Sequence, residues 1–371
     1  MKFIPVNQPV LDGNEKKYLA ECIDTGWISS EGPFVTRLER EFAASCGRKH
    51  GIAVCNGTAA LETALFASGI KPGDEVIMPT FTIISCAIAV IRLGAKPVFV
   101  DSDPVTWNID VSGIEEKITS ATAAIMPVHI YGLPADMNSI MSIAEKHGLM
   151  VIEDAAEQIG QTYDGKPCGS FGSASAFSFY PNKHITTGEG GMVLADDDPI
   201  AEKARSYRNL CFKPEKRFLH DVIGYNFRMT NMQAAVGVAQ LERLREFVEK
   251  KRHIGRTYDR LLSGCRKLKL PPKSDKHSES IYWVYGVVLT KGAGMNAETA
   301  MKKLNERGIG TRPFFYPMHK QPALIELGIA RDECMPVSEE LSELGFYLPS
   351  GLALTDDEIE TSASAILEIL G

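Results

Sequence analysis

Short apolar runs alternate with stretches of helical periodicity between about residue 50 and residue 195. Unbroken apolar strands separated by helices are typical of a mainly parallel sheet that is covered on both faces. The runs at 174–179 and 191–195 are expected to pair around a turn that carries Lys183. The other predicted strands are residues 52–55, 75–78, 97–101, 123–128 and 149–154.

The pattern changes beyond residue 195. Thr230 or Asn231 is expected to cap a long helix through residues 232–247, which ends in the basic segment 250–253. We interpret that basic segment as a solvated helix face. The remainder has an α+β pattern, with strands predicted at 282–289 and 311–315, a helix at 297–307 and a closing helix from Asp356.

Length and composition favour an ordinary two-domain globular protein. The chain has 371 residues, of which 44% are hydrophobic and 23% charged. We place the boundary so that residues 1–248 form an N-terminal arm and a large domain, and residues 249–371 a small α+β domain.

Charge, termini and cysteines exclude several classes of partner. The formal net charge of −7 argues against a nucleic-acid surface, and no apolar run reaches the length of a membrane span. Residues 1–9 lack the apolar core of a signal peptide. The eight cysteines form no Cys-x-x-Cys pair, so we expect neither a zinc site nor a disulfide framework, and the cytoplasm is the expected compartment.

The most informative segment is residues 177–191, which surrounds Lys183. The lysine follows an apolar strand-like run, with Ser178 before it and a glycine-rich turn behind it. A lysine forms a Schiff base with an aldehyde when its amine is held, partly desolvated, against the carbonyl carbon. Enzymes that use pyridoxal phosphate need such a lysine, together with a carboxylate for the pyridine nitrogen and a cradle for the phosphate.

Candidates for the other two parts lie at strand ends. Asp154 ends a strand-like run, where α/β sheets place ligands; its alternative reading is a helix cap or surface turn. Gly57 and Thr58 lie in a strand-to-helix turn whose free amides can bind phosphate, although a plain capped helix has the same pattern. The hydroxyl of Ser178 could contact the same phosphate.

Several segments together resemble one known family. The pattern Ser-Phe-x-x-x-Lys at 178–183, followed by Gly-Glu-Gly-Gly at 188–191, is similar to the DegT/DnrJ/EryC1/StrS family of sugar aminotransferases. The resemblance covers nearly the whole chain in the family's order. The other matching segments are 25–33, 56–58, 128–132, 153–156, 224–231 and 316–319.

The resemblance implies an aspartate-aminotransferase-like (type I) α/β fold. It has a large pyridoxal-phosphate-binding domain with a mainly parallel mixed sheet between helices, plus the smaller α+β domain. It also implies a homodimer with shared active sites, which could associate further. Lys183 would be the Schiff-base lysine, and Asp154 the partner of the pyridine nitrogen. The phosphate would be held by Gly57, Thr58, Ser178 and, from the neighbouring subunit, Asn226.

Two positions depart from the pattern of many relatives. Glu157 replaces a glutamine that contacts the ring hydroxyl oxygen of the cofactor, and its charge could alter the pKa of the lysine nitrogen. Ile83 replaces an aromatic residue that stacks on the ring, and an aliphatic side chain can cover that face by dispersion. The sugar-nucleotide would be bordered by Trp27, Ser29, Ser30, Tyr316 and His319.

The implied reaction moves an amino group from L-glutamate to C4 of a nucleotide-linked 4-keto-6-deoxy sugar, as in the biosynthesis of polysaccharides such as O-antigen. A GDP-linked sugar is the preferred acceptor, and a sister enzyme acting on a dTDP- or UDP-linked sugar is the alternative. A dehydratase of the same fold would have histidine in place of Lys183. A non-catalytic regulator that binds the cofactor or a sugar-nucleotide is a more distant alternative. No nucleic-acid or membrane partner is expected.

Overall fold

The computed structural model describes residues 3–213, 215–331 and 333–371; Met1 and Lys2, at the start of the segment inspected for a signal peptide, lie outside them. The helices of the described residues are α1 (Glu15–Thr25), α2 (Pro33–Ser45), α3 (Gly57–Ala67), α4 (Ser85–Arg92), α5 (Met137–His147), α6 (Asp198–Tyr207), α7 (Asn231–Leu241), α8 (Leu244–Leu262), α9 (Ala297–Glu306), α10 (Pro322–Glu326), α11 (Pro336–Leu344) and α12 (Asp356–Leu370). The strands are β1 (His50–Val54), β2 (Glu75–Pro79), β3 (Lys96–Val100), β4 (Thr122–Ile125), β5 (Met150–Asp154), β6 (Thr162–Tyr163), β7 (Lys166–Pro167), β8 (Ala174–Ser178), β9 (Gly191–Ala195), β10 (Leu268–Lys269), β11 (Tyr285–Leu289), β12 (Arg312–Pro313) and β13 (Gly345–Leu348).

The large sheet has seven strands in the order β1-β9-β8-β5-β4-β2-β3. Every neighbouring pair from β8 to β3 is parallel, whereas β9 is antiparallel to both of its neighbours. The predicted mainly parallel sheet is therefore confirmed. The predicted pairing around the lysine turn is confirmed too, because Ser178 of β8 lies opposite Gly191 of β9.

Helices cover both faces of this sheet, as the unbroken apolar strands predict. On one face, α3 buries Ala64 and Leu65 in the same cluster as Val76 of β2. On the other face, Ile77 of β2 packs in a cluster with Ile140 of α5. Neighbouring residues of one strand thus enter different cores, as the two-residue period of a strand requires.

The second sheet lies in the C-terminal part of the chain and has the order β10-β11-β13-β12, with antiparallel neighbours. Helices α8, α9 and α12 contribute apolar residues to its core. Ile4, which lies near the N-terminus, also belongs to this core and forms a parallel bridge with Ile309. The start of the chain therefore packs against its C-terminal part.

The predicted long helix from residue 231 to the basic segment is wrong in one respect. Thr230 caps α7 with a reciprocal capping box, as expected, but α7 ends at Leu241 and α8 begins at Leu244. The predicted domain boundary between residues 248 and 249 lies inside α8, which is not interrupted there. The described residues have no chain break that marks the boundary, so it stays a prediction.

The interpretation of residues 250–253 as a solvated helix face is also wrong for one of them. Lys251 is only 1% exposed. Its Nζ donates hydrogen bonds to the carbonyl oxygens of Trp283 at 2.8 Å and Ser350 at 2.6 Å. Periodicity did not show this, because both acceptors come from distant parts of the sequence.

The structure also bears on the cysteines and on membrane-spanning helices. All eight cysteines are free thiols, of which Cys22, Cys46, Cys86 and Cys168 are buried. Among the described residues, no helix combines the length and the apolarity that crossing a bilayer requires.

Candidate active site

The predicted chemical residues gather at one edge of the large sheet. Asp154 ends β5 and Ser178 ends β8, while Gly57 follows β1 and opens α3. All strands of this sheet except β9 run in the same direction, so their carboxyl ends meet at this edge. Ligands of α/β proteins bind at such an edge.

Lys183 lies in the turn that follows β8. Its backbone amide donates to the carbonyl of Tyr180 at 2.9 Å, which fixes the turn. Its Nζ lies 3.8 Å from the ring centroid of Trp283. Burial lowers the pKa of the Lys183 amine, while the carboxylates of Glu157 and Asp154 act in the opposite direction. The amine is therefore desolvated, as a Schiff-base lysine requires.

Asp154 is a buried carboxylate that is 3% exposed. Its Oδ1 accepts the amide of Ala156 at 3.1 Å, and its Oδ2 accepts the thiol of Cys86 at 3.2 Å. Burial raises the pKa of Asp154, opposed by these hydrogen bonds and by the charge of Lys183. A cationic group that formed a hydrogen bond to this carboxylate would relieve the cost of burying it.

Glu157 is 5% exposed and lies three residues beyond the end of β5, in a turn. Its Oε2 accepts the backbone amide of Tyr131 at 2.7 Å. Burial raises the pKa of Glu157, and Lys183 opposes that rise. Glu157, Asp154 and Lys183 therefore interact electrostatically in one buried site, in which the protonation of each depends on the others.

Gly57 lets the start of α3 pack directly on Ser178 at the end of β8. A β-carbon on Gly57 would lie 2.8 Å from the Ser178 Cβ, closer than two carbon atoms can pack. Asn56 caps α3 by accepting the amide of Ala59. The helix amides that precede Ala59 are the ones left for a ligand. The Thr58 hydroxyl donates to the Ser85 hydroxyl at 2.9 Å, which joins α3 to α4.

The loop at residues 27–30 is held by a single buried residue, Asn231, through its side chain and its backbone. The Nδ2 of Asn231 donates to the Trp27 carbonyl at 2.7 Å, and the Asn231 amide donates to the Ser29 carbonyl at 2.5 Å. The same side chain accepts the amide of Phe34 at the start of α2. Trp27 is 50% exposed, so its indole is free to meet a ligand. The sequence pattern suggested Asn231 only as a helix cap.

The other residues predicted to border the sugar-nucleotide differ in their surroundings. Tyr316 is 53% exposed. His319 is buried, with Nδ1 at 2.8 Å from the Thr80 hydroxyl and Nε2 at 3.0 Å from Glu339 Oε1. Both ring nitrogens of His319 therefore have protein partners. Contacts of Ser30 and these residues with a substrate stay predictions.

Ile83 and Asn226 are both exposed. Ile83 lies between β2 and α4, beyond the carboxyl end of β2, at the same edge of the sheet as Asp154. It is 48% exposed, as a residue that covers the face of a ligand would be. The Oδ1 of Asn226 accepts the Nε of Arg228 at 2.8 Å. The contact of Asn226 with a neighbouring subunit stays a prediction, as does the role of Ile83.

Two residues that contact the candidate groups were not identified from the sequence. Trp283 lies within a predicted strand, where its pattern indicated only an apolar position. Cys86 lies in α4, and its bond to Asp154 joins elements that are far apart in the chain. Apolar periodicity carried no signal for either contact, since both depend on the packing of separate elements.

The chain is similar to known aminotransferases over nearly its whole length. A model of the DegT/DnrJ/EryC1/StrS aminotransferase family matches residues 9–367. The GDP-perosamine synthase of Caulobacter vibrioides is 44% identical over 367 residues, covering 99% of this chain and 98% of that protein. A pleiotropic regulatory protein of Geobacillus stearothermophilus is 38% identical, covering 98% of each chain. The crystal structure of S. venezuelae DesV in complex with a ketimine intermediate superposes with a TM-score of 0.91 at 31% identity, covering 100% of this chain and 99% of that one.

Proposed function

Because the chain belongs to the DegT/DnrJ/EryC1/StrS aminotransferase family, we propose that it is a pyridoxal-phosphate-dependent sugar aminotransferase that makes GDP-perosamine. It transfers the amino group of L-glutamate to C4 of GDP-4-keto-6-deoxymannose. The observation that carries the choice of acceptor is the 44% identity to a GDP-perosamine synthase over 99% of the chain.

The residues at the sheet edge fit this cofactor. Because residue 57 has no side chain, the start of α3 packs directly on Ser178. The first amides of the helix and the Ser178 hydroxyl therefore lie side by side, where they would hold the phosphate. Asp154 offers a buried carboxylate to the pyridine nitrogen, and Lys183 a desolvated amine to the aldehyde. Bound pyridoxal phosphate supplies an electron sink that stabilises negative charge on the carbon next to the reacting nitrogen.

Two side chains perform the proton chemistry. Lys183 would hold the aldehyde of the cofactor through its Nζ, and its amine would become free when the amino donor binds. The released amine then takes the proton from the α carbon of glutamate, as a general base whose pKa has been lowered by burial. Asp154 keeps the pyridine nitrogen protonated throughout. In the second half of a ping-pong cycle, the same Lys183 amine returns a proton to C4 of the sugar.

Further parts of this proposal concern assembly and location. The enzyme works as a homodimer in which Asn226 reaches the phosphate of the neighbouring subunit. Trp27, Ser29, Ser30, Tyr316 and His319 border the sugar-nucleotide. Residues 1–248 and 249–371 act as the two domains, and the enzyme works in the cytoplasm, where nucleotide sugars for O-antigen and other polysaccharides are made.

Incubation of the purified protein with L-glutamate, pyridoxal phosphate and GDP-4-keto-6-deoxymannose tests the proposal. We expect GDP-perosamine and 2-oxoglutarate in equal amounts, measured by mass spectrometry over many turnovers. The dTDP- and UDP-linked 4-keto-6-deoxyglucose sugars are compared in parallel. Preference for one of them by more than 10-fold in kcat/KM would replace GDP with that nucleotide.

The name of the G. stearothermophilus relative gives a specific reason to test a regulatory role. A protein that only binds the cofactor would form at most one equivalent of amino sugar per active site. Product beyond that ratio supports the enzyme. A yield that stops at one equivalent, with every keto sugar and with glutamate in excess, would support the regulator.

A further inference from the structure

Lys251 is a buried amine whose two acceptors, among the described residues, are neutral carbonyls. It belongs to α8 and donates to the backbone of Trp283, just before β11, and of Ser350, just after β13. Burial and the charge of Lys183 lower the pKa of Lys251 to about 7. A neutral amine has two N–H groups, so both bonds persist when the proton is lost. Lys251 thus fixes the backbone of Trp283 in either protonation state.

Trp283 in turn touches the lysine turn in two ways. One face of its indole lies 3.8 Å from Lys183 Nζ, measured to the ring centroid. Its Nε1 donates to the carbonyl of Asn182, the residue that precedes Lys183, at 2.8 Å. The side chain is 4% exposed, so its ring also keeps water from this side of the amine.

An indole face suits an amine that must be held and yet remain reactive. It attracts an ammonium by about 2 kcal/mol when both are desolvated. However, it cannot accept the directional hydrogen bond that a carboxylate would, so the amine stays free to turn toward a substrate carbon. Among the described residues, no hydrogen-bond acceptor for Lys183 Nζ is found, so the indole face is the one direct contact that supports the amine there.

We propose that Trp283 is a positioning residue that holds the released Lys183 amine at the place from which it transfers protons, and that Lys251 fixes Trp283 there. This inference rests on the proposed function, because it assigns a role within the same reaction. It also gives the C-terminal part of the chain a direct role at a site whose other groups follow strands of the large sheet.

The test uses single turnovers of the cofactor-loaded enzyme with glutamate alone, followed by absorbance as the cofactor passes from its aldehyde to its amine form. A misplaced base lowers the maximal rate constant and leaves the Kd of glutamate unchanged. A merely structural defect lowers the amplitude, because fewer sites are active, and leaves the rate constant as it was.

Three variants grade the effect. Trp283→Leu removes the ring face and should lower the rate constant at least 10-fold. Trp283→Phe keeps a face and loses the Nε1 bond, and Lys251→Met loses both carbonyl bonds; each should give a smaller fall, of about 3-fold. Trp107→Leu and Trp107→Phe are matched controls, because Trp107 is also buried and shares the neighbour Tyr131 with Trp283, but its ring has no contact with Lys183 among the described residues.

A second measurement does not depend on activity. The chain has three tryptophans, so the emission of Trp283 in cofactor-free protein is the difference between wild type and Trp283→Phe. Lys183→Met should change that emission and leave the contribution of Trp107 unaltered. No change would contradict the contact itself.

The outcomes separate this inference from the proposed function. If wild type fails to convert its cofactor with glutamate, the proposed function falls. If wild type reacts and Trp283→Leu reacts with the same rate constant, only the positioning role is overturned. Should Trp283→Leu not fold, Lys251→Met decides: a lowered rate constant at full amplitude supports the role, and an unchanged one overturns it.

Discussion

At the scale of single residues, the site combines a half-buried lysine with two buried carboxyl groups. Burial opposes charge on all three groups, whereas the attraction between the lysine and each carboxylate favours it. The strand ends suggested Lys183 and Asp154, whereas Glu157 was named only through the family resemblance; the structure brings the three groups close enough to influence one another's pKa, and their roles stay predictions. The support of the Lys183 amine by an indole could not be predicted, since that contact joins residues a hundred positions apart.

Replacing the amine should stop the reaction. We expect Lys183→Ala to lower kcat by at least the 10²–10⁴-fold that a positioned acid–base group contributes. The far-ultraviolet circular dichroism should remain that of wild type, because the side chain has no hydrogen-bond acceptor among the described residues. Single-turnover absorbance with glutamate measures the effect. Turnover within 10-fold of wild type would contradict the assignment.

The charge of Glu157 should set the protonation of the lysine nitrogen. Glu157→Gln retains an oxygen that can accept the Tyr131 amide and removes a negative charge that raises the pKa of Lys183. The lysine nitrogen should therefore lose its proton at a lower pH in the variant. A pH titration of the visible absorbance of the bound cofactor measures this.

Glu339→Gln serves as the control for that titration, because Glu339 contacts His319 away from the lysine turn. An identical titration midpoint in wild type and Glu157→Gln would show that the carboxyl group is already neutral in the loaded enzyme. That result would remove Glu157 from the electrostatics of the site.

At the scale of elements, a prediction succeeded where it depended only on the sequence of a single strand or helix. The strands of the large sheet and the cap of α7 follow from local apolar runs and from the Thr230 side chain. The break between α7 and α8 was missed, because residues 242–243 carry no glycine or proline to mark it. The burial of Lys251 was missed because a basic run on a helix normally faces water.

The junction of β1 and α3 offers a test of the phosphate cradle. Gly57→Ala places a β-carbon 2.8 Å from the Ser178 Cβ, so either β8 or the helix start must shift. Overpacking of this kind costs about 1–3 kcal/mol. We expect the Kd for pyridoxal phosphate, measured by equilibrium fluorescence titration, to rise about 10-fold or more.

Gly264→Ala is the matched control for this change, because a β-carbon there meets nothing within 4 Å. It should leave the cofactor affinity unaltered. If Gly57→Ala binds the cofactor as tightly as Gly264→Ala does, the close packing of Gly57 on Ser178 does not shape the phosphate site.

At the scale of the whole molecule, Lys251 makes stability depend on pH. Its pKa is about 7 in the folded protein and 10.5 in its ordinary state. Between these values the unfolded chain binds a proton that the folded protein does not, so the free energy of unfolding rises with pH. Below pH 7 both states are protonated, and the folded protein carries the full cost of a buried charge.

The difference in unfolding free energy between wild type and Lys251→Met isolates this effect. It should move in favour of wild type from pH 7 to pH 10, by at most about 1.4 kcal/mol per pH unit. Urea unfolding of the two cofactor-free proteins measures this difference. Lys183 and His184 are present in both proteins, so their own titration cancels when the two are compared. A difference that does not change with pH would mean that Lys251 stays charged in its buried site.

The N-terminal strap, residues 4–8, has a practical consequence for anyone who produces this protein. Ile4 exchanges backbone hydrogen bonds with residues 308 and 310, Val6 accepts the amide of Ser350, and the Asn7 side chain donates to Pro181 at 3.0 Å in the lysine turn. Deleting residues 4–8, or inserting a fusion partner within them, would remove the contacts that join the N-terminal segment to the turn that carries Lys183. Affinity handles and carrier proteins are therefore better attached after the exposed Gly371.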